Sequence, residues 1–165
     1  MKGIKDVRES KMVESIIDFL IDIPLFDELK SSELKIIARQ MNFVEINRRE
    51  TVFKEGDKGD YVCFVVDGIL DVVKQSTAGR DVVIASLSRG RSIGEMSAID
   101  DYPRSATVKA RTNSTLVILS RNGLELISQG YPKIGIKILR GLARVLSMNL
   151  RKTSSQLADY ILPLS

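Results

Sequence analysis

Two charged residues inside a single short stretch of this chain have types and spacing that could do chemistry: Glu95 and Arg104. They stand in residues 90–108, Gly-Arg-Ser-Ile-Gly-Glu-Met-Ser-Ala-Ile-Asp-Asp-Tyr-Pro-Arg-Ser-Ala-Thr-Val. An ionised carboxylate can only accept hydrogen bonds, so Glu95 suits a sugar hydroxyl. An arginine fork matches two phosphate oxygens in a way that a lysine point charge does not, so Arg104 suits a phosphate. The loop around them adds free backbone N–H groups and a short helix start, both favourable to an anion. Asp100 and Asp101 read as a solvated turn rather than a cation site.

Composition narrows the chemistry further. The 165 residues contain no histidine, which removes histidine catalysis and histidine-ligated zinc or haem. The single Cys63 lies in Tyr-Val-Cys-Phe-Val-Val and reads as a small buried hydrophobe suited to a reducing compartment. Net charge is +4, a mild excess that suits a small anionic ligand. The basic pairs Arg48-Arg49, Arg89 with Arg91, and Arg151-Lys152 are too short for a nucleic-acid surface and read as solvated faces. The N-terminus lacks the apolar core of a signal peptide, and no run reaches the roughly 18 apolar residues of a membrane span, so a cytoplasmic protein is expected.

The elements that must position Glu95 and Arg104 come from periodicity. Residues 1–41 form a helical segment: Met12, Val13, Ile16, Ile17, Phe19 and Leu20 have helical spacing, Pro24 interrupts, and Ser31 caps a second helix with Leu34, Ile37, Ala38 and Met41 inside it. From 42 to 120 the period changes to two. Tyr61–Val66 is a near-continuous apolar run, as in a strand buried on both faces. Asp67-Gly68 has the signature of a type I′ hairpin, and a second hairpin loop spans Gln75–Arg80. Gly56 and Gly59 mark a turn able to take positive φ. Arg48-Arg49-Glu50-Thr51 looks like a kinase phosphorylation motif but reads better as a hairpin turn, and Thr112-Asn113 turns the last two strands. Residues 121–165 are again helical. Ser120 caps a helix that Gly130 stops as its C′ residue, and Pro132 starts a long helix ending near 161, before Pro163. The fold class is α+β: an antiparallel β-sandwich or jelly-roll barrel of about eight strands, an N-terminal helical cluster and two C-terminal helices. Leu139, Ala143, Leu146, Leu150, Thr153, Leu157 and Tyr160 alternate spacings of four and three, a coiled-coil seam. The front half of that helix would lie on the barrel and the back half on a partner.

This order of elements resembles the cyclic nucleotide-binding domain found in catabolite activators, cyclic-AMP-dependent kinase regulatory subunits and cyclic nucleotide-gated channels. The resemblance covers roughly residues 24–158. It is carried by Ile23-Pro24-Leu25-Phe26, Phe53-Lys54-Glu55-Gly56-Asp57, Phe64-Val65-Val66-Asp67-Gly68, and above all Gly94-Glu95-Met96-Ser97-Ala98-Ile99 with Pro103-Arg104-Ser105-Ala106. That last pair resembles the family's phosphate-binding cassette, placed here at 92–106. The resemblance implies that Arg104 pairs with the exocyclic phosphate oxygens, Glu95 accepts from the ribose 2′-hydroxyl, and Gly94 lets the chain approach the sugar. It implies backbone N–H donors at Ser97 and Ala98, and a Ser105 hydroxyl that touches the phosphate or a guanine amine. Met96 and Ile99, or the base, would pack against Leu146 and Leu150. An ungapped alignment of the last helix sets Asn149 at the purine edge.

The expected function is a stand-alone sensor binding cyclic AMP (cAMP), with cyclic GMP (cGMP) also compatible, that signals through its last helix to a downstream protein. A homodimer through residues 139–160 is expected with it. The alternatives are an interaction module with a vestigial pocket, and the sensor part of a longer transcription regulator. An enzyme is not expected, because no nucleophile or metal cluster accompanies Glu95.

Overall fold

A computed structural model describes residues 2–161. Eight antiparallel strands make two four-stranded sheets. In one the order is β1 (Met41–Ile46), β8 (Ser114–Ser120), β3 (Tyr61–Asp67), β6 (Ser92–Ile93); in the other it is β2 (Thr51–Phe53), β7 (Thr107–Ala110), β4 (Leu70–Gln75), β5 (Asp81–Leu87). Before the sheets come α1 (Lys2–Leu20), a 3-10 turn at Pro24–Phe26 and α2 (Ser31–Ala38); α3 (Met96–Ile99) interrupts the strands, and α4 (Arg121–Gly130) and α5 (Pro132–Ile161) follow. The expected jelly roll with flanking helices and a long last helix is what the chain forms.

The apolar run of β3 has a specific cause. Val62 and Phe64 face the helices, joining Ile16, Phe26, Ile127 and Ile138 in one core. Cys63 and Val65 face the opposite sheet, joining Phe53, Val72, Val108 and Leu116 in a second. A strand between two cores has no face left for polar residues. On α5, Ile134, Ile138 and Leu142 are buried in the helix-side core, whereas Leu139, Leu150 and Leu157 of the seam are exposed. The front half therefore lies on the body as expected. Pro163 and the Tyr160 side chain lie outside the described residues.

Local expectations need four corrections. The Asp67-Gly68 turn is not a type I′ hairpin: Gly68 has φ +90°, but among the described residues Arg49 alone is a non-glycine with positive φ. Both central residues would need it. Moreover β3 and β4 belong to different sheets, as do β1 and β2 around Arg48-Arg49 and β7 and β8 around Thr112-Asn113. These turns carry the chain between layers, and the β4–β5 hairpin, paired from Leu70↔Leu87 to Gln75↔Asp81, is the one of these turns that joins paired strands. At α2 the N-cap is Lys30, whose N–H donates to the Glu33 carboxylate at 2.8 Å, so Ser31 is already helical, and the helix ends at Ala38, leaving Met41 to open β1 opposite Leu119. Gly130 is the last residue of α4 rather than its C′ residue, and Tyr131 caps the helix. Ser120 caps α4 as expected, its Oγ accepting from the Gly123 N–H at 3.0 Å.

Candidate functional site

Arg104 is held before anything binds to it. Its backbone N–H donates to the Asp57 carbonyl at 2.8 Å, and its own carbonyl accepts from the Gly56 N–H at 2.9 Å. The side chain, only 3% exposed, lies between two aromatic rings, with its guanidinium carbon 4.1 Å from the Phe53 centroid and 4.5 Å from that of Tyr61. Each such cation–π contact contributes about 0.5–2 kcal/mol, the upper end when desolvated. Nη2 donates to the Tyr61 carbonyl at 2.9 Å and Nη1 to the Gly94 carbonyl at 3.4 Å, while Nε is buried without a partner. A buried donor without a partner can take an acceptor from a ligand where its side chain borders a cavity, as Arg104 does.

Two glycines make this placement possible. Gly94 has φ +91°, and a Cβ there would fall 2.3 Å from Arg104 Nη1. Both the backbone conformation and the contact require glycine. Gly59 differs from expectation. Gly56 takes the positive φ of that turn (+86°), but Gly59 does not, and its importance is proximity. A Cβ at Gly59 would fall 2.2 Å from Ser97 and 3.2 Å from Arg104 Nε.

Glu95, 5% exposed, precedes α3 and accepts a hydrogen bond from Ser92 Oγ through Oε1. Gly94, Glu95, Met96, Ser97, Arg104 and Ser105 all line one cavity of about 320 Å³. Phe53, Val72, Ile84, Ile93 and Val108 form its apolar wall, and Lys74 adds a second cation. Lys74 Nζ is engaged by the Ser105 carbonyl (2.7 Å) and Glu55. A cavity this size is at the small end of ligand pockets, roughly 300–1,000 Å³. Behind the cavity wall, burial pushes the Cys63 thiol up to about 12, with Arg104 opposing and Glu95 adding, so it stays protonated and is no nucleophile. Burial likewise raises the Tyr61 phenol, whose O–H donates to the Val52 carbonyl at 3.0 Å.

Two of the expected residues are not on this wall. Ala98 turns toward the helix-side core, and its N–H donates to the Glu95 carbonyl at 3.1 Å, so it offers no free donor here. Asn149 is exposed on α5 and does not line the cavity. Conversely, Phe53, Gly59, Tyr61, Lys74 and Ser92 belong to the site without having been singled out for it. Their signals were weak: Phe53 and Tyr61 read as ordinary strand residues, and the need for glycine at 59 appears only once α3 is packed on the turn.

The Cyclic nucleotide-binding domain model matches residues 43–131, more than half of the chain. The chain belongs to the cyclic nucleotide-binding domain family. It is 28% identical over 137 residues, 83% of its length, to a CRP-like cAMP-activated global transcriptional regulator of Mycobacterium tuberculosis. Over 92 residues, 56% of its length, it is 37% identical to a cAMP-dependent protein kinase regulatory subunit of Mycosarcoma maydis. It spans 59% of the first protein and 17% of the second. The crystal structure of a cyclic nucleotide-binding domain from Methylobacillus flagellatus KT superposes with a TM-score of 0.79 at 32% identity, covering 94% of this chain and 85% of that one. The chain is thus a cyclic nucleotide-binding domain with regulators among its relatives. Among the described residues no helix is long and apolar enough to cross a membrane.

Proposed function

We propose that this domain is a sensor for cAMP, with cGMP as the competing ligand, and that it signals by repositioning α5. The observation that carries the reading is the pairing of two buried charges on one cavity, Glu95 and Arg104, with Arg104 Nε still lacking an acceptor. The cyclic phosphate would take that donor; the ribose 2′-hydroxyl would donate to Glu95; Gly94 lets the sugar come close; Ser97 and Ser105 flank the phosphate. The names of the mycobacterial and fungal relatives, both tied to cAMP, support adenine as the base. Binding rather than turnover is the role assigned to Glu95, which is already engaged by Ser92. The buried thiol of Cys63 fits a reducing compartment such as the cytoplasm.

In the structure Asn149 does not line the cavity, and Met96 and Ile99 are exposed at its edge and on α3. For Asn149 to read the base and Leu146 and Leu150 to cover Met96, α5 must move. A near-complete switch needs the two α5 positions to differ by about 5.5 kcal/mol in ligand binding. The exposed leucines of the seam favour a homodimer through residues 139–160, and the partial span of the mycobacterial regulator fits the sensor part of a longer regulator. Thermal unfolding with cAMP, cGMP and cyclic di-GMP tests the ligand. A ligand at 100 times its Kd adds about 2.7 kcal/mol of stability. No shift with any of the three would leave an interaction module with a vestigial pocket.

A further inference from the structure

Arg121 is the first residue of α4, where a cation opposes the positive end of the helix. Its guanidinium does not serve α4. It reaches across to the far end of α3, where Nη2 donates to the Asp100 carbonyl at 2.5 Å, the Gly59 carbonyl at 3.1 Å and the Ser97 carbonyl. Nη1 pairs with the Asp101 carboxylate. The Arg121 backbone N–H donates to the Asp60 carbonyl at 2.7 Å. Nε is buried with no partner, so the Nη contacts decide the pose.

One guanidinium therefore joins three segments: the turn that abuts Arg104, the single-turn helix of the cassette, and the start of the C-terminal helices. The physical need is plain at α3. In a helix of four residues few carbonyls find a local partner: that of Met96 accepts from the Asp100 N–H, and Arg121 supplies donors to those of Ser97 and of the C-cap Asp100. The Asp101 carboxylate is 91% exposed and contributes little; the carbonyls hold the clamp. At about 1.5 Å rise per residue, α3 is only ~6 Å long, so its ligand-facing end and its clamped end cannot shift independently. Beside the clamp, Ala98 of α3 lines one small apolar void with Leu124 of α4 and Ile138 and Leu142 of α5.

We propose that Arg121 is a positioning residue that couples the cassette to α4 and α5: it grips α3 by its carbonyl end and delivers any shift of α3 to the first turn of α4. This rests on the sensor reading above. It makes a prediction that a merely stabilising residue would not. Spin labels at exposed Thr77→Cys and Ser154→Cys report the distance from the β4–β5 loop to the distal part of α5, and calorimetry reports cAMP affinity.

With wild-type Arg121 the label distance changes on cAMP saturation. Arg121→Gln keeps cAMP affinity to within about tenfold, the scale of an ordinary coupling term, but loses most of the distance change. Arg121→Lys keeps the charge without the fork; it folds if the glutamine variant does not, and it too transmits a reduced change. A full distance change in either folded variant overturns the coupling role while leaving the sensor reading intact. A wild-type chain that binds cAMP without moving α5 overturns it as well. A wild-type chain that binds no cyclic nucleotide brings down the sensor reading and this inference together.

Discussion

Arg104 and Arg121 are chemically alike: each is a guanidinium with carbonyl partners at its Nη end and a buried, unpartnered Nε. Their surroundings separate them. Arg104 is pressed between Phe53 and Tyr61 and faces a cavity, so its charge is held in place by π faces that satisfy no hydrogen bond. Arg121 is engaged by three carbonyls, one from the turn at Gly59 and two from α3 and its C-cap, and does not line that cavity. A buried arginine alone therefore indicates no ligand. What points to one is a buried charge held between aromatic faces on the wall of a cavity, as Arg104 is and Arg121 is not.

The sharpest way to break that contrast is to remove each guanidinium. Arg104→Leu keeps apolar bulk between the two rings, so the domain still folds, but cAMP affinity falls by at least tenfold, in line with the 2–5 kcal/mol typical of truncating one partner of a buried charge pair, about 30- to 4,000-fold. Calorimetry showing tight binding by the leucine variant would remove Arg104 from the site. Arg121, in contrast, should govern transmission more than affinity.

Gly94→Ala attacks the same contrast from the backbone. The new methyl would lie where Nη1 of Arg104 now sits, and alanine at φ +91° is strained. We expect a loss of about 1–3 kcal/mol in denaturant unfolding, together with weaker cAMP binding because Arg104 must leave its carbonyls. An unchanged unfolding midpoint would mean that the loop relaxes without cost. Glu95→Gln should act more mildly. Its hydrogen bond from a ribose hydroxyl loses its charge assistance, and the preference for cAMP over its 2′-deoxy analogue should shrink by roughly tenfold, about the 1.5–3 kcal/mol of a bond to a charged group at its lower end. Equal discrimination in both proteins would place the hydroxyl elsewhere.

How much of this was legible beforehand follows the same divide. Periodicity exposed the strand buried on both faces, because packing imposes that period directly on Tyr61–Val66, and it exposed the long last helix through the seam, although the face that packs on the body is Ile134, Ile138 and Leu142. Glu95 and Arg104 were legible because their types and spacing are chemical necessities. Turns misled: Asp67-Gly68 has hairpin chemistry, yet the chain there changes layers, and nothing local distinguishes the two uses. Phe53, Tyr61, Gly59 and Arg121 were illegible for a related reason. Each matters through a contact made across a long sequence separation. The seam on α5 shows the limit from the other side: its Leu150 keeps the spacing but is exposed, whereas Leu142, off the seam, is buried.

The smallest expected effect concerns how α5 is fastened. Arg121 bonds mainly to carbonyls, which do not titrate, so the α3–α4 clamp should hold across the acid range. The opposite fastening, Lys137 of α5 on Glu33 of α2 at 2.7 Å, does titrate. The Lys137 hydrogen bond, helped by the Lys30 N–H, holds the Glu33 carboxyl below its ordinary range. A carboxyl with a lowered folded-state pKa contributes stability above its unfolded pKa, and loses that contribution as pH falls through the folded value. The pair is partly exposed, so its worth is about 1 kcal/mol or less. Lys137→Met should therefore be slightly less stable than wild type at pH 7, and the gap should close as pH drops below the normal glutamate range near 4.3. If the sensor works by moving α5, the same substitution should also favour the ligand-bound arrangement and tighten cAMP binding by a small factor at pH 7. A stability gap that stays constant into acid would mean that Lys137 acts through its methylene stem packed on α2 rather than through its charge.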